Sequence, residues 1–302
     1  MCVRTAPVLA TARGTRQEAF GPVEWSLLAS IGLMWGSSFV FIAEGLEAFR
    51  PGLVAFLRLA LGTVAVALVP KARRRVERQD WPRLAVLGFV WMAIPLTLFP
   101  VAQLWITSSL AGMINGAMPL FSALFAAMLL RRAPRGVQVA GLLVGFTGVA
   151  LITLPRAGAG PEVLLGAGLV LFATVLYGLA ANLAVPLQQK YGSLPVVFRA
   201  QLTALVVLTP VAAFSLPGST FRWPSAAAMV ALGLFGSGLA FVAMATLVGR
   251  AGATRGAVAI YFIPVVATIL GVTLRSERVE PIQLAGVALV LVGAWLTSRR
   301  ER

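Results

Sequence analysis

Long apolar stretches separated by short polar connections fill the chain almost from end to end. A helix needs roughly 20 mainly apolar residues to cross the hydrocarbon core of a bilayer. Stretches near that length fall at 25–43, 52–69, 84–105, 108–130, 137–154, 164–185, 195–214, 226–247, 257–274 and 282–298. The pattern predicts an all-α integral membrane protein with ten transmembrane helices, since a helix satisfies its own backbone polar groups in lipid. The connections leave no room for a separate soluble catalytic domain.

The last five stretches look like a repeat of the first five. A shift of 145 positions lays Pro119 on Pro264, Gln138 on Gln283, Gly141 on Gly286 and Gly148 on Gly293. Shared leucine and alanine mean little in so apolar a chain, but a shared Pro, Gln and pair of Gly at one offset mean more. Five crossings end a unit on the side opposite its start, so a duplicated five-helix unit must invert. Inverted repeats around a midplane site are the architecture of secondary transporters. The organisation predicted is a cytoplasmic tail at 1–24, a first five-helix repeat at 25–154, a linker at 155–163, a second repeat at 164–298 and a tail at 299–302.

Composition agrees with this class. Of the 302 residues 59% are hydrophobic and 12% charged, against about a quarter charged in a soluble domain. The formal net charge of +15 raises the question of nucleic acid, and the placement of the charges answers it. Arg50, Arg156, Arg222, Arg275 and Arg278 fall on the side assigned to the outside, and Arg58 and Arg199 fall within spans. Every other Lys and Arg, including the run Lys71–Arg78, falls on the cytoplasmic side. This is the positive-inside bias, with both termini cytoplasmic, and it speaks against a nucleic-acid partner. Repeat mates also differ in charge as inversion requires: Arg131, Arg132 and Arg135 bring no acid, whereas Arg275, Glu277, Arg278 and Glu280 are formally neutral.

Candidate chemistry is sparse. Histidine is absent and Cys2 is the sole cysteine, so no internal disulfide is expected and the usual transition-metal ligands are missing. No Asp or Glu lies near midspan, and hydrolase or protease constellations have no members to draw on. No cofactor or metal is expected. The residues left to bind a substrate are the midspan polar and aromatic ones: Trp35, Ser37 and Ser38, then Gln103, Asn115, Tyr177, Asn182 and Tyr261. An amide in hydrocarbon must be paired or face a wet interior; the plainer reading is hydrogen bonding between helices. Asn115 and Tyr261 lie within a turn of Pro119 and Pro264, whose missing N–H groups predict interruptions or hinges there.

Arg58, about 9 Å into its span at 1.5 Å per residue, is expected to snorkel to the nearer surface, with Glu44 as a candidate partner. Arg199 is expected to snorkel as well. Gly32 and Gly36, Gly141 and Gly145, and Gly148, Gly286 and Gly293 predict close helix packing. The seam of the fifth and tenth spans is also a candidate homodimer contact.

These residues together resemble the drug/metabolite transporter superfamily, EamA type, over about 25–298. The marks are Trp35-Gly36-Ser37-Ser38, Arg58, Ala111…Pro119-Leu120-Phe121 and Gly141…Gly148, then Tyr261-Phe262-Ile263-Pro264, Ser276-Glu277-Arg278 and Gly286…Gly293. Similar proteins often carry Gly-Glu-Arg at the end of the fourth span, where Arg131-Arg132 stands here; Glu277 keeps the acid in the second half. The resemblance implies a central cavity between two halves, alternating access in the cytoplasmic (inner) membrane, and often export of amino acids or other small metabolites. A small-molecule substrate and the lipid bilayer are the partners expected. A proton-coupled drug or cation exchanger is the other transport reading. It is weakened because Leu33-Met34-Trp35-Gly36 stands where small four-span exporters carry a membrane-embedded Glu. A non-transport scaffold has no need of two-sided symmetry.

Overall fold

The computed structural model describes residues 21–131, 136–156, 160–251 and 257–298, and these are helical throughout with no strand among them. The readings on Cys2, Arg132, Arg135, Arg255 and the tail 299–302 lie outside the described residues. In chain order α1 spans Pro22–Leu46 and α2 spans Pro51–Ala67. Helix α3 runs through Trp81–Leu87, passes a π-helical turn at Gly88–Ala93, and resumes over Ile94–Ala102. Helix α4 is broken into Ser108–Asn115 and Met118–Leu129. Next come α5 at Val137–Thr153, α6 at Pro161–Tyr191 and α7 at Ser193–Ser215. Helix α8 runs from Trp223–Ala231 through a second π turn, Leu232–Leu239, into Ala240–Ala251. A tight 3-10 segment, Ala257–Phe262, leads into Ile263–Arg275 to make α9, and α10 spans Pro281–Ser298.

Six of these runs are long and apolar enough to cross a bilayer, and four shorter apolar helices accompany them. Outward faces carry large apolar side chains such as Leu143, Phe214 and Val206, which suits a surface solvated by lipid.

Several helices extend past their apolar stretch because polar residues at their ends find partners. Helix α6 continues through Lys190 and Tyr191, whose Nζ and hydroxyl donate to Asp80 at 2.9 and 2.5 Å. Lys190 also donates to Glu77 at 2.7 Å. Hydrogen bonds from Lys190, then Gln79, hold the Glu77 carboxyl below its ordinary range. As expected, Arg199 reaches out of its helix: its guanidinium donates to the carbonyls of Ala72 (2.6 Å) and Arg74 (2.8 Å) in the polar 70–80 connection. Another belt joins Arg275 to Glu44 (3.3 Å) and Glu47 (2.9 Å), and Arg222 to Glu47 (3.5 Å).

Pro119 and Pro264 do not kink continuous helices. Each stands in the first turn of a new helical segment, where an N–H would lack an intrahelical acceptor anyway. The two interruptions abut, since a Cβ on Gly116 would run into the Pro264 ring.

Glycines set the closest approaches. Gly32 and Gly36 of α1 receive Phe262 and Val266 of α9. Helices α5 and α10 pack backbone to backbone, Gly148 against Gly286 and Gly293 against Gly141 and Gly145. The predicted glycine seam is thus filled within one chain.

Candidate functional site

The two π turns organise the interior. A π turn shifts the hydrogen-bond ladder by one residue and widens the helix, leaving carbonyls open to side-chain donors; such turns recur at functional sites. In α8 this turn contains Gly233, Gly236 and Gly238, and their lack of side chains lets α2 lie directly on it. A Cβ on Gly233 would strike Leu61, one on Gly238 would strike Ala65, and one on Gly62 would strike Ser237.

Four side chains from three other helices converge on this turn. Trp35 of α1 donates its Nε1–H to the Gly236 carbonyl at 3.0 Å. Ser38, one turn closer to the end of α1, donates back to the Met34 carbonyl at 2.9 Å and lies against Gly236. Gln201 of α7, wholly buried, donates its Nε2 to the Ser237 carbonyl at 2.7 Å. Arg58 of α2 donates its Nε to Ser237 Oγ at 3.2 Å.

Arg58 therefore does not snorkel. It is only 6% exposed, and Glu44, its expected partner, is paired with Arg275 instead. The reason is packing: Arg58 lies one turn from Gly62, on the face of α2 that α8 covers, so its side chain is directed inward. Tyr177 of α6 lies within electrostatic reach of the guanidinium. Its ring sits 5.7 Å from that of Phe99, and Phe241 bridges Trp35 (5.6 Å) and Trp91 (5.4 Å). The polar turn is thus bordered by aromatic rings.

The other predicted residues are placed differently. Asn182 donates its amide to the carbonyls of Ser122 (2.9 Å) and Gly178 (3.0 Å), tying α6 to α4. Asn115 is buried at the end of the first part of α4, and its Oδ1 has no partner. Gln103 caps α3 and both of its amide atoms are buried without partners. Tyr261 is half-buried in the 3-10 segment before Pro264, packed on the core that contains Ile114 and Ile263. No hydrogen bond among the described residues links Gln103, Asn115 or Tyr261 to the α8 turn. Ser237, Gln201 and Arg58 were missed as site residues by sequence reasoning. The Gly233-x-x-Gly236-Ser237-Gly238 run, read beside Gly62, was the available signal for them.

Glu277, the acid kept in the second half, caps a helix of the first. Its carboxylate accepts from the backbone N–H of Ser108 (2.9 Å) and Ser109 (2.8 Å) and from both hydroxyls. These are the unsatisfied donors at the N-terminus of α4, where a negative charge is favoured by the helix dipole.

An all-helical chain with bilayer-length apolar helices, apolar outer faces and polar groups gathered inside is an integral membrane protein. The model of the EamA-like transporter family matches it twice, at residues 24–154 and 164–299. The chain belongs to that family and is a transporter. It is similar to a probable terminal-alkyne amino-acid exporter of Streptantibioticus cattleyicolor, 29% identical over 279 residues, covering 91% of this chain and 93% of the relative. An uncharacterized transporter of Archaeoglobus fulgidus is 24% identical, with 92% and 99% covered. The uncharacterized inner membrane transporter YedA of Escherichia coli K12 is 22% identical, with 90% and 89% covered. A solved crystal structure shares the fold with a TM-score of 0.63 at 21% identity, covering 90% of this chain and 95% of that one.

Proposed function

We propose that this transporter moves small metabolites, amino acids foremost, out of the cell across the cytoplasmic membrane by alternating access between two inverted five-helix halves. Both termini are cytoplasmic in this reading. The observation that carries it is an exchange of contacts between halves. The α8 π turn packs on α2, with Gly233 facing the Arg58 carbonyl and Leu61; the α3 π turn packs on α7, with Gly88 facing the Ala200 carbonyl and Thr203. Each half thus lends its second helix to the π turn of the other. The α5–α10 seam behaves likewise: Gly141 meets Gly293, the repeat mate of Gly148, and Gly148 meets Gly286, the mate of Gly141. Contacts of this reciprocal kind are what a two-fold relation between halves produces, and secondary transporters place their substrate site at such a repeat interface. Buried polar atoms without protein partners on Gln103, Asn115 and Gln201 favour a polar ligand over an oily one. The similarity to an amino-acid exporter favours amino acids.

Counterflow tests this reading. Proteoliposomes preloaded with an unlabelled L-amino acid should transiently accumulate the labelled one above protein-free liposomes for at least one amino acid. Asn115→Ala, Tyr177→Ala and Tyr261→Ala should each lower that rate several-fold at equal protein content. Absence of counterflow for all twenty, or three variants at the wild-type rate, would refute the substrate class or the site respectively.

A further inference from the structure

Arg58 is a buried cation with only one hydrogen bond. Its Nε is held by Ser237 Oγ, while its two terminal nitrogens have no hydrogen-bond partner among the described residues. No Asp or Glu among the described residues forms an ion pair or hydrogen bond with it. Glu44 in the last turn of α1 and Glu47 just beyond it are engaged by Arg275 and Arg222. Burying an unpaired charge is costly, so such a residue needs a reason to persist.

Packing does not supply one. The two halves make the same α2-type contact on a π turn, and the place of Arg58 in one is taken by Ala200 in the other. The backbone carbonyl of each faces the first glycine of the partner turn, and the residue three positions on, Leu61 or Thr203, completes the contact. An alanine therefore satisfies this interface. The helices correspond here at a shift of 142 positions and the turns at 145, which puts Met92 in the place of Ser237. The cation and its hydroxyl support belong to one half alone, as a site for an asymmetric ligand would.

The geometry points to a carboxylate site: we propose that the free face of the Arg58 guanidinium, fixed by Ser237 and bordered by Gln201, binds the carboxylate of a small organic acid or amino-acid substrate. The proposal rests on the transport reading for its biological role and on Arg58 for its chemistry. A guanidinium anchored through Nε presents its two terminal nitrogens as a fork that matches the two oxygens of a carboxylate. The Ser237 bond limits rotation of the fork. Gln201 Oε1, buried and without a partner, supplies an acceptor nearby that suits a donor on the same ligand, such as an ammonium group.

The test uses the full chain in lipid nanodiscs and three matched pairs of probes: propionate and propionamide, L-leucine and L-leucinamide, L-phenylalanine and L-phenylalaninamide. Members of a pair differ in the acid group alone, and binding to the folded state raises the unfolding temperature. At least one acid should stabilise the wild type while its amide does not. Arg58→Gln should weaken that binding at least tenfold, and Arg58→Lys and Ser237→Ala several-fold. If Arg58→Gln does not fold, Arg58→Lys decides, with unchanged affinity counting against the site. Equal stabilisation by acid and amide, no stabilisation by any acid, or wild-type affinity in Arg58→Gln would overturn the proposal. Acid binding without counterflow would refute transport and leave the site standing. Counterflow untouched by Arg58→Gln would refute the site and leave transport standing.

Discussion

Glu277 shows how much a single loop residue does in this chain. Ser108 and Ser109 are each about as buried as core leucines, at 1% exposure, so the carboxylate that receives their N–H groups has no solvent to replace it. Losing a side-chain acceptor at a helix N-terminus costs about 0.5–2 kcal/mol. We predict that Glu277→Ala lowers the thermal midpoint of the protein in detergent by several degrees, while Glu280→Ala, whose side chain is exposed, leaves it in place. A midpoint shared by both variants would contradict this role. Glu277 was legible in the sequence as an acid retained in the second half. Arg58 was legible as an intramembrane charge, but its direction was not. Whether a long side chain snorkels depends on which face of its helix a neighbour covers, and that is set by Gly62 meeting Ser237 across the fold. Asn182, marked by its midspan polarity for a ligand, donates its Nδ2 to Ser122 and Gly178, the helix-to-helix bonding that the plainer reading of such an amide offers.

At the scale of elements, hydropathy located the long apolar helices, because twenty apolar residues in a row leave few other structures available in lipid, but not the short 3-10 segments Pro70–Arg73 and Arg78–Asp80. The prolines located both interruptions. What it did not show are the π turns at Gly88–Ala93 and Leu232–Leu239. A one-residue shift in a hydrogen-bond ladder leaves the apolar pattern nearly unchanged, and only glycines hint at it. Helix α6 also runs on to Tyr191 because its last turn is pinned by Asp80, a contact from a distant connection. The glycine seam gives the clearest prediction here. A side chain on Gly148 would meet the Gly286 carbonyl and the Val290 backbone N, and backbone does not yield as a flexible side chain does. Gly148→Leu should destabilise by about 1–3 kcal/mol or more, read as reduced folded yield and a lower midpoint. Gly168→Leu should be tolerated, because a Cβ there meets nothing within 4 Å. Equal tolerance of both would remove the close α5–α10 packing.

For the whole molecule, the acids that are described sit at helix ends and in connections, paired as Glu44 and Glu47 are or capping as Glu277 does. Coupling to protons by side-chain titration calls for Asp, Glu or His in the bundle. Movement down the substrate gradient or by exchange is the outcome expected. A neutral substrate should show no uphill accumulation in liposomes under an imposed pH gradient at zero potential; accumulation would direct attention to Glu44. In the transport reading the halves face opposite ways, so that one arginine-bearing interface serves a site open in turn to either side. Labelling with a membrane-impermeant thiol reagent tests it most directly, in intact cells with Cys2 replaced and one cysteine introduced at a time. Cysteines beside Arg222 and Arg278 should label from outside, and one beside Arg74 should not. Labelling of the Arg74 position in sealed cells would contradict both the orientation and the inversion.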